Sequence, residues 1–410
     1  MPTRPIATRI VDRLQKAGHI AYFAGGWVRD FLLQVPSDDI DIATSASVEE
    51  IAQIFSHTIP VGIAFGILIV VEEGHSFEVA TFRKEKEYID GRRPTSIESA
   101  TAEEDAQRRD FTINGLFFDP IQEKLWDFVN GQKDIEKGIV RAIGDPHHRF
   151  LEDRLRMMRA IRYSTRFGFP IECDTEQAII SHAQSLFPSV AIERIWQEFQ
   201  KMAKSPRFAE GILSLYKLTL LPVIFPSLKT LEISELQRRL IPLSKLPLSS
   251  PLIAKLLFLF PRASLTESLQ LCEYLKTSKL EKDLVSFLHS SQSLLHMPLE
   301  WQSNVEPVEW AHFYAHPSSS LALEIANFEQ ADSPPFLHFH AQKKEELSRH
   351  IIRIQTKSPL IRAEDLLKEG ISPGVQMGKL LKEAEKIAIN EDLHEKSIVL
   401  EKLKEFYKNP

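Results

Sequence analysis

An α+β head with a small mixed sheet, followed by an all-α remainder, is the fold class that the sequence predicts. Three observations carry it. Short strand-like runs at residues 20–24, 67–71, 77–82 and 116–118 are interleaved with helical stretches up to about residue 135. Beyond about Gly138 the pattern is almost wholly helical, with leucine-rich segments broken at Pro170, Pro188, Pro222, Pro226, Pro242, Pro247 and Pro251. The 410 residues, 43% hydrophobic and 26% charged, supply enough apolar material for roughly two to four units with cores, which excludes a disordered scaffold.

Ile6, Ile10 and Leu14 recur at helical spacing and lead directly into the first strand, so the segment bearing Arg4, Arg9 and Arg13 reads as a packed helix rather than a transit peptide. Breaks near Pro206, through residues 242–251 and at Ser333-Pro334-Pro335 divide the chain into a head (1–137), a neck (138–205), a body (206–330) and a tail (331–410). No fixed-period repeat stands out. In the tail, glycines at 370 and 374 around Pro373 predict a turn that enters a new helix, whose first amides could bind an RNA phosphate. The longest apolar run, at 63–71, falls far short of the roughly 20 residues that cross a bilayer. Cys173 and Cys272 lack metal-ligand spacing, so neither a disulfide framework nor a structural zinc site is expected, and a reducing cytoplasm fits. A net charge of −6 argues against a globally basic nucleic-acid binder, so any such contact must come from local faces.

The chemistry concentrates in four segments. Asp39 and Asp41, at i and i+2 of an expected strand, point to one face and can hold a pair of hard cations. Two such ions about 3.5–4 Å apart activate a hydroxyl and stabilise a leaving pyrophosphate, and Mg²⁺ favours oxygen ligands for that work. An isolated Asp-x-Asp is ordinarily a solvated turn. Here Gly25-Gly26 precedes it, letting backbone approach phosphate, with Arg29 as a positive fork alongside. Glu78, on an apparent strand, reads either as a third carboxylate of that site or as an edge-strand surface residue. Residues 83–94, dense in mixed charge, read as a solvated loop. In the run 108–116, Arg109 can hold a triphosphate, while Asn114 can contact a sugar or fix the loop.

Residues 149–163 read as one helix on which Asp153, Arg156, Arg159 and Arg162 recur every three residues. Seven arginines against three acids between Arg141 and Arg166 form the basic face that the net charge conceals. An aspartate accepts from an exocyclic amine and an arginine donates to a ring nitrogen, so Asp153 with Arg156 complements the Watson–Crick edge of cytosine or adenine. Uracil or guanine would leave polar groups unpaired, at a cost of about 1–3 kcal/mol each. The plainer reading is a surface helix laced with weak ion pairs. Arg159 and Arg162 either meet phosphate and orient the template or simply pair with acids.

Together the Gly25-Gly26 to Asp41 segment, the Arg-Arg-Asp-Phe-Thr-Ile-Asn run at 108–114 and Glu152-Asp153-x-x-Arg156 resemble the class II tRNA nucleotidyltransferase and bacterial poly(A) polymerase family, a branch of the polymerase β superfamily. Gly115 departs from the usual alanine. The resemblance is dense over 21–200, weak over 201–350 and moderate over the tail. It implies catalysis by Asp39, Asp41 and Glu78, with Mg²⁺ on Asp39 and Asp41. It also implies nucleotide binding by Gly25, Gly26, Arg29, Arg109, Asn114, Asp153, Arg156, Arg159 and Arg162. CTP, ATP and tRNA would be the substrates in the cytoplasm, with pyrophosphate released and no membrane involved. The segment 83–94 is similar to the flexible loop of adenine-adding members, Glu193-Arg194 to a segment that braces the neck through an ion pair, and residues 358–382 to a tail that reaches the tRNA elbow. Trp196 reads as core, and His312, His316, His338 and His340 as loop or core rather than metal ligands. The alternatives are a poly(A) polymerase or an A-adding enzyme sharing this head, although the chain ends in alternating acids and lysines instead of a strongly basic extension. From a different class stands an RNA-binding protein without catalysis.

Overall fold

The computed structural model describes residues 3–61, 63–88, 94–329 and 334–408. The middle of the expected loop, 89–93, and the expected break at Ser333 lie outside the described residues. Contacts divide the chain into two units, Met1–Ser244 and Lys245–Pro410.

In the first unit, β1 (Ala21–Ala24), β2 (Asp41–Thr44), β3 (Thr58–Ile59), β4 (Ile67–Glu72) and β5 (His75–Thr81) join β8 (Leu116–Asp119) and β9 (Lys124–Asp127), while β6 (Arg83–Tyr88) and β7 (Pro94–Ser99) stand apart as a two-stranded sheet. The seven-stranded sheet has the order β3-β4-β5-β2-β1-β8-β9. It is mixed: β2 runs parallel to β5, and the other pairings are antiparallel. Helix α1 (Thr3–Lys16) buries Ile6, Ala7, Ile10, Val11 and Leu14 against one face, where Phe23, Ile42, Val79 and Phe118 complete the core. The other face carries a smaller cluster of Ala24, Ala43, Phe82, Phe117 and Val129. That asymmetry leaves space for a site on the second face.

Segment 83–94 differs from its expectation. Instead of a featureless loop, its first six residues pair with 94–99 through Arg83↔Ser99 to Tyr88↔Pro94. Mixed charge hid the strands, because the run shows no period-two alternation of apolar residues.

The helices that matter to the site follow in order. α2 (Gly26–Leu32) starts at the diglycine, and α3 (Val48–Ile54) opens on a Ser47/Glu50 capping box. α4 (Ala102–Gln107) opens on a second box, Thr101/Glu104. α5 (Gly131–Lys137), α6 (Pro146–Glu152), α7 (Leu155–Phe167), α8 (Cys173–His182) and α9 (Ile192–Met202) complete the set. Trp196 is buried on α9.

The second unit is helical. A cavity of about 120 Å³ between Leu257, Phe260, Leu288 and Ile325 is mainly apolar and gathers no opposed charges. His312 faces Glu385, His316 stacks on Phe287, and His340 meets the Tyr314 hydroxyl at 2.8 Å. The expected turn is present: Gly370 takes φ 81 after helix Ala363–Lys368, and Gly374 precedes helix Val375–Asn390. Leu366, Leu380, Ala384, Val399 and Leu403 form the core there. Among the described residues no helix is long and apolar enough to cross a membrane.

Candidate active site

Parallel pairing of β2 with β5 builds the floor. The register Ile42↔Val79 and Ala43↔Ala80 sends Ile42 and Val79 into the core and leaves Asp41 and Glu78, one step earlier on each strand, side by side on the opposite face. Ala24, Ala43 and Ala80 line the same cavity of about 170 Å³, together with Arg83, Arg108 and Arg109. Alanine at those three places keeps the floor open. Asp39 lies just before β2 rather than on it, so the expected shared strand face holds for Asp41 with Glu78, not for Asp39 with Asp41. Asp39 nevertheless acts on Asp41 electrostatically. Burial pushes the Asp41 carboxyl up to about 7, with Glu78 and Asp39 adding repulsion and Arg109 opposing it. Carboxylates crowded in this way fit a divalent cation, which would be held by oxygen alone.

The arginine wall is fixed by one buried acid. Asp105 on α4 receives Arg108 on one oxygen, at 2.9 Å from Nε and 2.7 Å from Nη2, and Arg109 on the other, at 3.1 and 2.9 Å. Burial would raise the Asp105 carboxyl, but the two guanidinium groups outweigh it and hold it low. Arg109 also lies 4.9 Å over the Phe117 ring and reaches the Asn114 carbonyl.

Gly25 makes this crowding possible. It adopts φ 64, and a Cβ there would sit 2.8 Å from Arg109 Nη1. Gly25→Ala is therefore expected to destabilise the protein by about 1–2 kcal/mol through the left-handed backbone alone, and to push Arg109 out of line. Urea unfolding at neutral pH checks the first effect.

Arg29 and Asn114 form a buried relay. Arg29 is 2% exposed, donates to Asp30 at 2.9 and 2.7 Å and to Asn114 Oδ1, and lies over the rings of Tyr163 and Phe167 on α7. Asn114 donates in turn to Asp110 Oδ1 at 2.9 Å, and Asp110 Oδ2 takes Arg159 Nε at 2.7 Å. Arg166 closes the other side of Asp30 at 2.8 Å. Of the two roles open to Asn114, both amide ends are thus committed to fixing the loop. Arg29 is a buried tie between α2 and α7 here rather than an open fork.

The segment expected as one helix is two. α6 ends at Glu152, Asp153 takes extended angles, and α7 begins at Leu155, with Asp153 Oδ1 accepting from the Leu155 amide at 3.0 Å. An aspartate that can cap the next helix breaks the run where periodicity alone carries it through. The three-residue stripe therefore starts at Arg156, not Asp153. Arg156 pairs with Glu152 and donates to the carbonyls of Arg149 and Arg108 at 3.1 and 3.2 Å. Arg159 pairs with Asp110, and Arg162 with Glu198 on α9 at 2.5 Å, so both follow the acid-pairing alternative. The ion pair expected of Arg194 reaches Asp153, at 3.0 Å from Nη2 to Oδ2. Sequence reasoning assigned no role to Asp30, Asp105 or Glu198, and their only local signal was an acid beside or within a helix turn of an arginine.

Sheet, carboxylate-lined cavity and arginine wall define a nucleotidyltransferase head carried on a helical body. Residues 21–141 match the poly A polymerase head domain, and residues 168–231 the probable RNA and SrmB-binding site of polymerase A. Over those two stretches the chain is similar to the poly A polymerase family. Among its relatives, the CCA-adding enzyme of Anoxybacillus flavithermus is 44% identical over 225 residues, 55% of this chain and 56% of that protein. The CCA-adding enzyme of Ligilactobacillus salivarius is 46% identical over 204 residues, 49% and 50% of the two chains. The match spans about half the length of these curated relatives. The Bacillus stearothermophilus CCA-adding enzyme in complex with CTP superposes with a TM-score of 0.79 at 27% identity over 100% of both chains. Thermotoga maritima CCA-adding enzyme complexed with tRNA gives 0.63 at 20% identity over 98% and 94%, a likeness of fold.

Proposed function

We propose that this chain adds CMP and AMP, from CTP and ATP, to the 3′ end of tRNA, releasing pyrophosphate. The observation that carries the reading is one cavity in which Asp41 and Glu78, paired across parallel strands, face Arg108 and Arg109. Relatives named CCA-adding enzymes favour this reading over a poly(A) polymerase.

In this mechanism Asp39, Asp41 and Glu78 would hold divalent cations, Mg²⁺ by choice of oxygen donors. Cations bound there would supply activation of the 3′-hydroxyl and neutralisation of charge on the leaving pyrophosphate. Arg109, kept in place by Asp105, meets the triphosphate, and the Gly25-Gly26 backbone lets it approach. Catalysis is then positioning and charge neutralisation, as in phosphoryl transfer generally. Asp153 and Arg156 read the base edge, with Arg194 holding Asp153 in orientation and Arg159 and Arg162 bracing the helix behind. We assign residues 1–137 to chemistry, 138–205 to base choice, and 206–330 and 331–410 to the body and tail that bind tRNA, with the cytoplasm as the place of action.

The test supplies purified protein and Mg²⁺ with tRNA transcripts ending at the discriminator base, at C and at CC, plus CTP and ATP separately and together, beside an unstructured RNA. All three ends should be completed to CCA and then stop. Extension of the CC end alone means an A-adding enzyme, unlimited adenylation means a poly(A) polymerase, and binding without extension means a non-catalytic RNA binder. In the same assay Asp153→Ala should lose about 1–3 kcal/mol of preference for CTP and ATP over UTP and GTP, a five- to 150-fold relaxation. Unchanged base choice would remove Asp153 from the template.

A further inference from the structure

In the second unit His350, on helix Ser348–Gln355, meets Asp392 and His394, which lie in the turn between helix Val375–Asn390 and helix Lys396–Lys408. His350 Nε2 is 3.0 Å from Asp392 Oδ1, and His394 Nε2 is 3.3 Å from the same oxygen. Among the described residues this is the one group of three His, Cys, Asp or Glu side chains with donor atoms all within 4.8 Å of one another. None of the three belongs to the site described above.

The geometry has the dimensions of a coordination shell. An ion that holds nitrogen and oxygen at about 2.0–2.1 Å in a tetrahedron spaces its ligands about 3.3 Å apart, and two edges of this triangle, 3.0 and 3.3 Å, lie close to that length. The ligands are also held. The His350 ring is buried and stacks on His394 with centroids 5.1 Å apart. Asp392 takes a left-handed φ of 50, and its turn is pinned by the Leu393 amide on the Ala388 carbonyl at 2.8 Å. The Asp392 side chain is 69% exposed, which leaves the fourth position to water. Two imidazoles and one carboxylate suit a borderline ion such as Zn²⁺ far better than Mg²⁺, which demands oxygen.

We propose that His350, Asp392 and His394 bind a single divalent transition ion of the zinc type, pinning helix Ser348–Gln355 to the turn at 391–395. Arg353 sets its affinity. Arg353 Nη2 lies 3.3 Å from His394 Nδ1, and Nη1 lies 3.4 Å from the Leu393 carbonyl. An ion on Nε2 moves the ring proton to Nδ1, which then cannot accept, so Arg353 gives up the ring and keeps the carbonyl. Its positive charge also opposes the ion. Removing that charge should tighten binding.

The test uses the full chain, stripped with a chelator and titrated with Zn²⁺ alone by calorimetry and with Co²⁺ alone by visible absorption. Beyond any ion held at Asp39, Asp41 and Glu78, one ion per chain is expected, with a rise in melting temperature that requires the ion. His394→Gln and Asp392→Asn, both at the more open side of the site, should weaken binding at least about 100-fold. Arg353→Met should strengthen it, and Asp41→Asn should leave it unchanged. An ion-free hydrogen-bonded turn would show no saturable binding. That result overturns the proposal, as does binding that survives in both ligand variants or that disappears with Asp41→Asn.

Discussion

Asp41→Asn is expected to reduce nucleotide addition by at least about 10³-fold while leaving RNA affinity within about twofold. Asparagine preserves the shape of the side chain and removes the charge that stands beside Glu78 over the alanine floor. Cation-based charge stabilisation supplies several kcal/mol of barrier reduction, and each 1.36 kcal/mol is tenfold in rate, so three decades is the modest end of the expectation. The measurement is single-turnover ATP addition to tRNA ending in CC, with tRNA saturating. Activity above about a tenth of the parent would remove Asp41 from the chemistry. Stability separates lost chemistry from lost fold. Because the Asp41 carboxyl is raised in the folded protein from 3.8 to about 7, its ionisation opposes folding. The favourable contribution is fully present below about pH 4 and is lost as pH rises through 7. With cations chelated, Asp41→Asn should thus match the parent near pH 4 and exceed it at pH 8.

Local periodicity made four of the head's strands legible, since β1, β4, β5 and β8 bury alternating or continuous apolar residues that stand out in sequence. What sequence could not supply was register. The partner of Asp41 on the floor is Glu78, through parallel pairing across 36 intervening positions, whereas the local pattern suggested Asp39. The openness of the floor was equally hidden. Ala24, Ala43 and Ala80 are unremarkable one at a time and become a cavity only when three strands bring them together.

The arginines show the same limit from the other direction. Seven of them between 141 and 166 read as a basic face, yet in the fold Arg159 and Arg162 are paired with Asp110 and Glu198, while Arg166 is paired with Asp30. The neutralising acids come from 36 to 136 residues away. Local charge density therefore overstated how much positive surface is free for nucleotide. It did locate the elements that carry the pairs, because buried charge persists only where a partner meets it. Asp153 belongs to both accounts: its type suggested a base reader, and its place at a helix break, held by Arg194, gives it the fixed orientation that such a reader needs.

Asp110→Asn is expected to cost about 1–3 kcal/mol of stability, because it takes from the partly exposed Arg159 guanidinium its buried countercharge and acceptor. Burial works against the Asp110 carboxylate, but Arg159, Asn114 and Arg156 outweigh it and hold the group down to about 2. The contribution of the charge is therefore present above the ordinary value of 3.8 and lost only as pH falls through about 2. Urea unfolding should show the same deficit at pH 5, 7 and 8. Asp110→Asn combined with Arg159→Met removes both charges and should recover much of the loss, since the penalty lies in the unpaired ion rather than in the absence of the bridge. Activity should not recover with it. Asp110 also anchors Asn114 and, through it, Arg29, so a double variant that is stable but slow would show that the relay positions the loop beside the triphosphate as well as holding the fold. Full recovery of both would confine Asp110 to stability.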